Sequence, residues 1–219
     1  MPIQYNTGFL PVTPFNTSAP LLVSGQGRSG TTGLMRALAH TTGYSTHFPG
    51  RDRGNAEDGL TRAFREPTDA RIRKIRANRG NHWISKVPNA HLKATRNPQI
   101  LDAWAGNWLI ISRDPLARSI RESLENKGDP LLIYKANTKM IANTGKIIDA
   151  LVAGGYGVAL VSYEKLLVNK GETIAAIWAW MKAAGNLVGA IQEINPSDSR
   201  YVIVDRPQGT DSTAGHRPG

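Results

Sequence analysis

Residues 21–38, LLVSGQGRSGTTGLMRAL, constrain what this chain can fold into more than any other stretch. The apolar run Leu21-Leu22-Val23 has strand character and feeds a loop that carries Gly25, Gly27 and Gly30. A helical pattern begins at Thr31, with Leu34, Leu38 and Ala39 on one face. A strand, a glycine loop and a helix start in that order make an anion cradle. Glycines let backbone N–H groups converge on a ligand, and the helix N-terminus adds partial positive charge.

The spacing from Gly25 to Gly30 and Thr31 reproduces the P-loop skeleton G-x-x-x-x-G-K-[ST] with one change. Thr31 stands where nucleotide triphosphate binding needs lysine, while a cation, Arg28, sits inside the loop. Further along, residues 81–88 read as a short strand stopped by Pro88, followed by a helix within residues 91–105 that breaks near Pro98. Trp108-Leu109-Ile110-Ile111-Ser112 is a continuous apolar run, as in a strand buried on both faces. Asp114 can cap, and Pro115 can open, a helix through Asn126 with Leu116, Ile120 and Leu124 on its core stripe. A second helix runs from Asp129-Pro130 to about Ala153 and ends at Gly154-Gly155. Residues 157–163 form another buried strand, and residues 172–184 a helix closed by Gly185, with Ile174, Ile177, Trp178 and Met181 facing the core. Strands alternating with helices predict one α/β domain over residues 1–219, a P-loop-like parallel β-sheet flanked by helices on both faces. Residues 1–19 read as an extended lead-in and residues 207–219 as a mobile tail.

With 219 residues and 40% hydrophobic content the chain can bury one sizeable core. It contains no cysteine, which excludes disulfides and thiolate metal sites and fits a reducing compartment, so the expected setting is the cytoplasm. No run approaches the roughly eighteen apolar residues of a membrane span, and the N-terminus lacks the basic and apolar regions of a signal peptide. The formal net charge of +10 favours anionic partners. Basic residues outnumber acids between Arg51 and Arg79, and Arg71-Ile72-Arg73-Lys74-Ile75-Arg76 lies on a helix begun by Pro67-Thr68-Asp69. That run reads either as a solvated face or as an electropositive rim. Its only aromatic is Phe64, which argues against stacking on nucleic acid.

Gly27-Arg28-Ser29-Gly30-Thr31-Thr32 resembles the 5′-phosphosulfate-binding loop of sulfotransferases that use 3′-phosphoadenosine 5′-phosphosulfate (PAPS). Three further segments match that family in order. Lys86-Val87-Pro88 is similar to its Lys-x-Pro segment, and Arg113-Asp114-Pro115 to its 3′-phosphate-binding segment. Residues 162–167, beginning Ser162-Tyr163-Glu164, resemble its Tyr-Glu-Asp-Leu segment near the adenine. The family usually places a serine eight positions after the segment's arginine. Here that position is Arg121, with Ser119 and Ser123 two residues to either side, so either Arg121 or a shifted Ser119 would meet the 3′-phosphate. The C-terminal Arg-Lys-Gly-type cofactor loop is not recognisable, with Arg206 or Arg217 as stand-ins.

The resemblance implies PAPS as sulfuryl donor with no metal required, and an acceptor bearing a hydroxyl or amine. Arg28 and Lys86 would neutralise the leaving phosphate and the moving sulfuryl group. An acceptor hydroxyl also needs a base, and the candidates are His47, Asp52, Glu57 and Asp58. Gly54-Asn55-Ala56-Glu57-Asp58 resembles an Asn-x-x-Glu stretch in bacterial-type members, which favours Glu57. Two rivals stand beside this reading. One is an ATP-dependent P-loop kinase using Thr31 or Thr32 on magnesium; the other is a basic, non-enzymatic polyanion-binding module.

Overall fold

The computed structural model describes residues 7–27, 29–46, 59–78, 82–94, 97–126 and 128–194. The chain enters through β1 (Phe9–Pro11) and crosses to β2 (Leu21–Gly25), which runs into α1 (Thr31–Leu38). Helices α2 (Gly59–Arg65) and α3 (Asp69–Asn78) precede β3 (Ile84–Lys86), and α4 (Ala90–Ala94) and α5 (Pro98–Trp104) follow it. Next come β4 (Asn107–Ser112), α6 (Pro115–Asn126), α7 (Pro130–Ala153) and β5 (Val158–Ser162). Three helices close the described chain: α8 (Tyr163–Val168), α9 (Lys170–Met181) and α10 (Leu187–Glu193).

The five strands form one sheet in the order β1-β5-β4-β2-β3. Four of them are parallel, and β1 joins β5 antiparallel, with Phe9 opposite Val161. The lead-in therefore contributes an edge strand that the sequence reading passed over. Pro11 cannot donate to a ladder, and an edge is the place where a sheet tolerates it.

Side chains of a strand alternate between faces, and here both faces are covered. Leu21 and Val23 of β2, Leu109 and Ile111 of β4, and Ala159 and Val161 of β5 point to one side. There they meet Leu34 and Leu38 of α1 and Ile174, Ile177, Trp178 and Met181 of α9. Leu22, Trp108, Ile110 and Val158 point to the other side, against Phe64, Ile72, Ile75, Trp104, Ile147 and Leu151. The result is a single α/β domain with a mixed sheet between two helical layers. Among the described residues no helix is long and apolar enough to cross a membrane.

Two expected faces come out differently. Ala39 is exposed, because α1 ends at Leu38 and the chain turns there. On α6, Leu116 and Ile120 are 55% and 51% exposed, while Arg118 and Ser119 are buried at 5% and 1%. The inner face of α6 meets polar groups, Gln26 of the glycine loop and Asn137 of α7, so its polar residues turn inward and the apolar stripe turns out. The Leu124 side chain and the tail from residue 207 lie outside the described residues.

Candidate active site

The carboxyl ends of β2, β3, β4 and β5 lie along one edge of the sheet, the edge at which parallel α/β sheets bind ligands. The glycine loop follows β2. The main-chain carbonyl of Gln26 accepts both the Ser29 N–H at 3.2 Å and the Ser29 hydroxyl at 2.5 Å, which ties Ser29 to Gln26. Gly30 then opens α1 with φ of 84°, in the left-handed region that favours glycine. A Cβ at that position would come within 2.2 and 2.3 Å of the Tyr163 ring. The first-turn amides of α1 receive no side-chain cap and carry the positive end of the helix dipole.

Lys86, the last residue of β3, is 2% exposed, and its Nζ donates to Thr32 Oγ1 at 2.9 Å. A buried ammonium thus joins the same helix end that the loop leaves uncapped. The segment after Lys86 is tied down from beneath. The Asn89 N–H donates to Gly25 O at 2.8 Å, and the His91 N–H donates to Ser24 Oγ at 3.2 Å. Ser24 Oγ also lies 2.8 Å from His91 Nδ1. Burial lowers the His91 pKa to about 4, so the imidazole is neutral at ordinary pH. His91 Nε2 has no hydrogen-bond partner among the described residues.

At the end of β4, the Arg113 guanidinium lies over the Tyr163 ring, 5.0 Å from its centroid, with Nε 4.0 Å from Glu164. Glu164 also accepts the Asp114 N–H at 2.9 Å, and Asp114 in turn caps α6 by accepting from the Ala117 N–H at 2.8 Å. Tyr163 is therefore the wall shared by the glycine loop and the Arg113 turn. A cavity of about 550 Å³ opens beside Arg113, lined by Gly8, Leu10, Ile141, Glu164 and Lys165 among others.

No protein-family model and no curated protein sequence matches this chain. Solved structures do. A sulfotransferase from Alicyclobacillus acidocaldarius superposes with a TM-score of 0.50 at 16% identity, covering 76% of this chain and 83% of that one. The chain has a sulfotransferase fold. The sulfotransferase domain from the curacin biosynthetic pathway is also similar, with a TM-score of 0.49 at 15% identity, covering 80% of this chain and 77% of that domain. At such identities the likeness extends to the fold, and what the site does has to be argued from its own residues.

Within this sulfotransferase fold, the described residues place Gly27, Ser29, Gly30, Thr31 and Thr32 on the loop and helix start. Lys86 reaches Thr32, and Arg113 and Tyr163 stack beside them. Ser119 is turned elsewhere: its hydroxyl donates to Pro115 O at 2.5 Å and accepts from Asn137 at 2.8 Å. Ser123 donates to Gly128 O at 2.8 Å. Arg28, His47, Asp52, Glu57 and Asp58, the Arg121 side chain, Arg206 and Arg217 lie outside the described residues. Of the basic run, Arg71 bonds Glu66 and Arg62 lies 3.6 Å from it, while Ile72 and Ile75 are buried.

Three site residues escaped the sequence reading: Gln26, Arg118 and His91. Arg118 sat next to the residues expected to meet a phosphate, and Gln26 lay inside the glycine motif. Neither carried a signal that it would find the other.

Proposed function

We propose that this chain transfers a sulfuryl group from PAPS to an acceptor hydroxyl. One observation carries the reading: an uncapped helix start, a buried lysine bonded to Thr32, and an arginine stacked on Tyr163 converge at the carboxyl edge of a sulfotransferase fold. The residues fit such a donor. A Cβ built at Gly27 meets nothing within 4 Å, so the loop's face is open where a 5′-phosphosulfate would approach its amides. Arg113 stands across Tyr163 from the loop and serves the 3′-phosphate, with the cavity beside it taking the nucleoside end.

In this role Lys86 holds the charge that develops on the 5′-phosphate oxygen as its bond to sulfur breaks, a role that the sequence assigns to Arg28 as well. The acceptor oxygen forms the new bond to sulfur, and its proton passes to a base that we place at Glu57, with His47 as the alternative. The donor arrives already activated, so the site needs no metal for departure. Asp114, the acid that follows β4, caps α6 with one carboxylate oxygen, a helix-start role that argues against its being the metal-holding acid of a kinase.

Thermal unfolding with adenosine 3′,5′-bisphosphate tests the reading. Without added metal, ligand at a hundred times its Kd should stabilise the fold by about 2.7 kcal/mol. A metal-dependent shift with ATP and none with the bisphosphate would turn the assignment to a kinase. Salt-sensitive binding of polyanions that ignores changes in the loop would turn it to a binding module. For the base, Glu57→Gln should cost about 10²–10⁴ in turnover with bisphosphate affinity kept. Near-normal turnover in Glu57→Gln beside a collapse in His47→Ala would move the role to His47.

A further inference from the structure

The loop and the Arg113 turn are joined by a buried polar chain. Gln26 is 7% exposed, and its side-chain carbonyl accepts from Arg118 Nη1. Arg118 belongs to α6, whose first residue, Pro115, lies two positions after Arg113. Its other two nitrogens are held as well: Nε and Nη2 each donate to Glu122 Oε1, at 3.1 and 2.9 Å. Glu122 Oε2 accepts from Asn137 at 3.3 Å, Asn137 donates to Ser119, and Ser119 donates to the Pro115 carbonyl. The chain therefore runs from the loop, through the interior, back to the start of the helix that follows Arg113.

A guanidinium is an obligate donor, so the residue at position 26 must present an acceptor. Removing a charged group from water is costly, and a packed apolar residue would hold α6 at least as well, so stability alone does not account for this arrangement. Gln26 has two functions at once. Its main chain holds Ser29, and its side chain fixes this part of the loop to α6.

We infer that the Gln26–Arg118 contact sets the separation between the loop and Arg113, and thereby makes the site select a nucleotide with phosphates at both the 3′ and 5′ positions. The inference rests on reading the site as one for a 3′-phosphorylated adenosine nucleotide. A ligand with two anionic groups gains from both sites only when they stand at the right distance, and a loose separation charges an ordering cost to binding. A nucleotide with only a 5′-phosphate uses the loop alone and is indifferent to that separation. Gln26 and Arg118 are thus positioning residues, and the ratio of the two affinities reports their action.

Calorimetric titration with adenosine 3′,5′-bisphosphate and with adenosine 5′-phosphate reads that ratio in the wild type, Gln26→Met and Gln26→Glu, with a thermal unfolding curve for each. Gln26→Met should lower the preference for the bisphosphate about tenfold, equivalent to roughly 1.4 kcal/mol. Gln26→Glu keeps an acceptor for Arg118 and should retain the wild-type ratio, because its added charge acts on the 5′-phosphate common to both ligands. Should Gln26→Met not fold, Arg118→Lys, whose ammonium lacks the planar fork that spans Gln26 and Glu122, should lower the same ratio. An unchanged ratio in a folded Gln26→Met or Arg118→Lys protein, whatever its melting temperature, overturns the coupling and leaves the nucleotide reading intact. A wild type that binds the bisphosphate no better than the monophosphate overturns the nucleotide reading itself, and the coupling with it.

Discussion

Two strand-to-helix turns stand side by side at the carboxyl edge of the sheet, and they start their helices in opposite ways. After β2, Gly30 begins α1 with no side-chain cap, and α1 buries Leu34, Met35 and Leu38. After β4, Asp114 caps α6 with its carboxylate, and α6 buries Arg118 and Ser119 while Leu116 and Ile120 face solvent. The first turn leaves its amides without a side-chain cap and is held by the apolar packing behind it. In the second, Asp114 already accepts from the Ala117 N–H, so an anion there would be met by a side chain, and Arg113 is the one in place. As proposed anion sites, the two turns would work by different chemistry: backbone dipoles in one, a guanidinium in the other.

The largest expected effect comes from closing the first turn. Gly30→Ala forces a left-handed residue, at about 1–2 kcal/mol, and drives a methyl into the Tyr163 ring, at about 1–3 kcal/mol more. Denaturant unfolding should show both terms, and only the first should persist in a Tyr163→Ala background. An equal loss in both backgrounds would mean that the ring is not the obstacle. Next in size, Lys86→Met removes the cation that joins the uncapped helix end. Turnover should fall by about 10²–10³, the loss typical of one charge-stabilising donor. Turnover within a few-fold of wild type would remove Lys86 from the reacting end of the site.

The root of the first turn carries a pH dependence. His91 has a folded pKa of about 4 against an ordinary value of 6.5, so between these values the unfolded chain binds the extra proton. Its contribution to stability is complete above pH 6.5 and is lost as pH falls towards 4, in all on the order of 3 kcal/mol. His91→Gln should flatten that part of the stability–pH curve, and an unaltered curve would place the titrating group elsewhere. The smallest effects belong to the second turn. Asp114→Ala should cost about 1 kcal/mol through loss of the cap. Leu116→Ser with Ile120→Ser should change stability by no more than about 0.5 kcal/mol for each substitution, as exposed sites do. A large loss from that pair would show that the apolar stripe is covered after all.

What the sequence determined on its own was local. The glycines from Gly25 to Gly30, Pro88 after a short strand, and the Asp114-Pro115 helix start act on the residues beside them. Short apolar runs with these stops therefore located the parallel strands and the four segments that line the sheet's edge. The sequence did not decide which side of α6 turns inward, because its apolar stripe and its polar face compete for the interior. A glutamine 92 residues away settles the matter in favour of Arg118. The same holds for His91, whose partner Ser24 is 67 residues distant, and for β1, which becomes a strand only because β5 offers it an edge. Periodicity and capping are short-range signals, whereas buried polar pairs and sheet edges are satisfied by groups far along the chain. Those contacts exist only once the tertiary structure has brought them together.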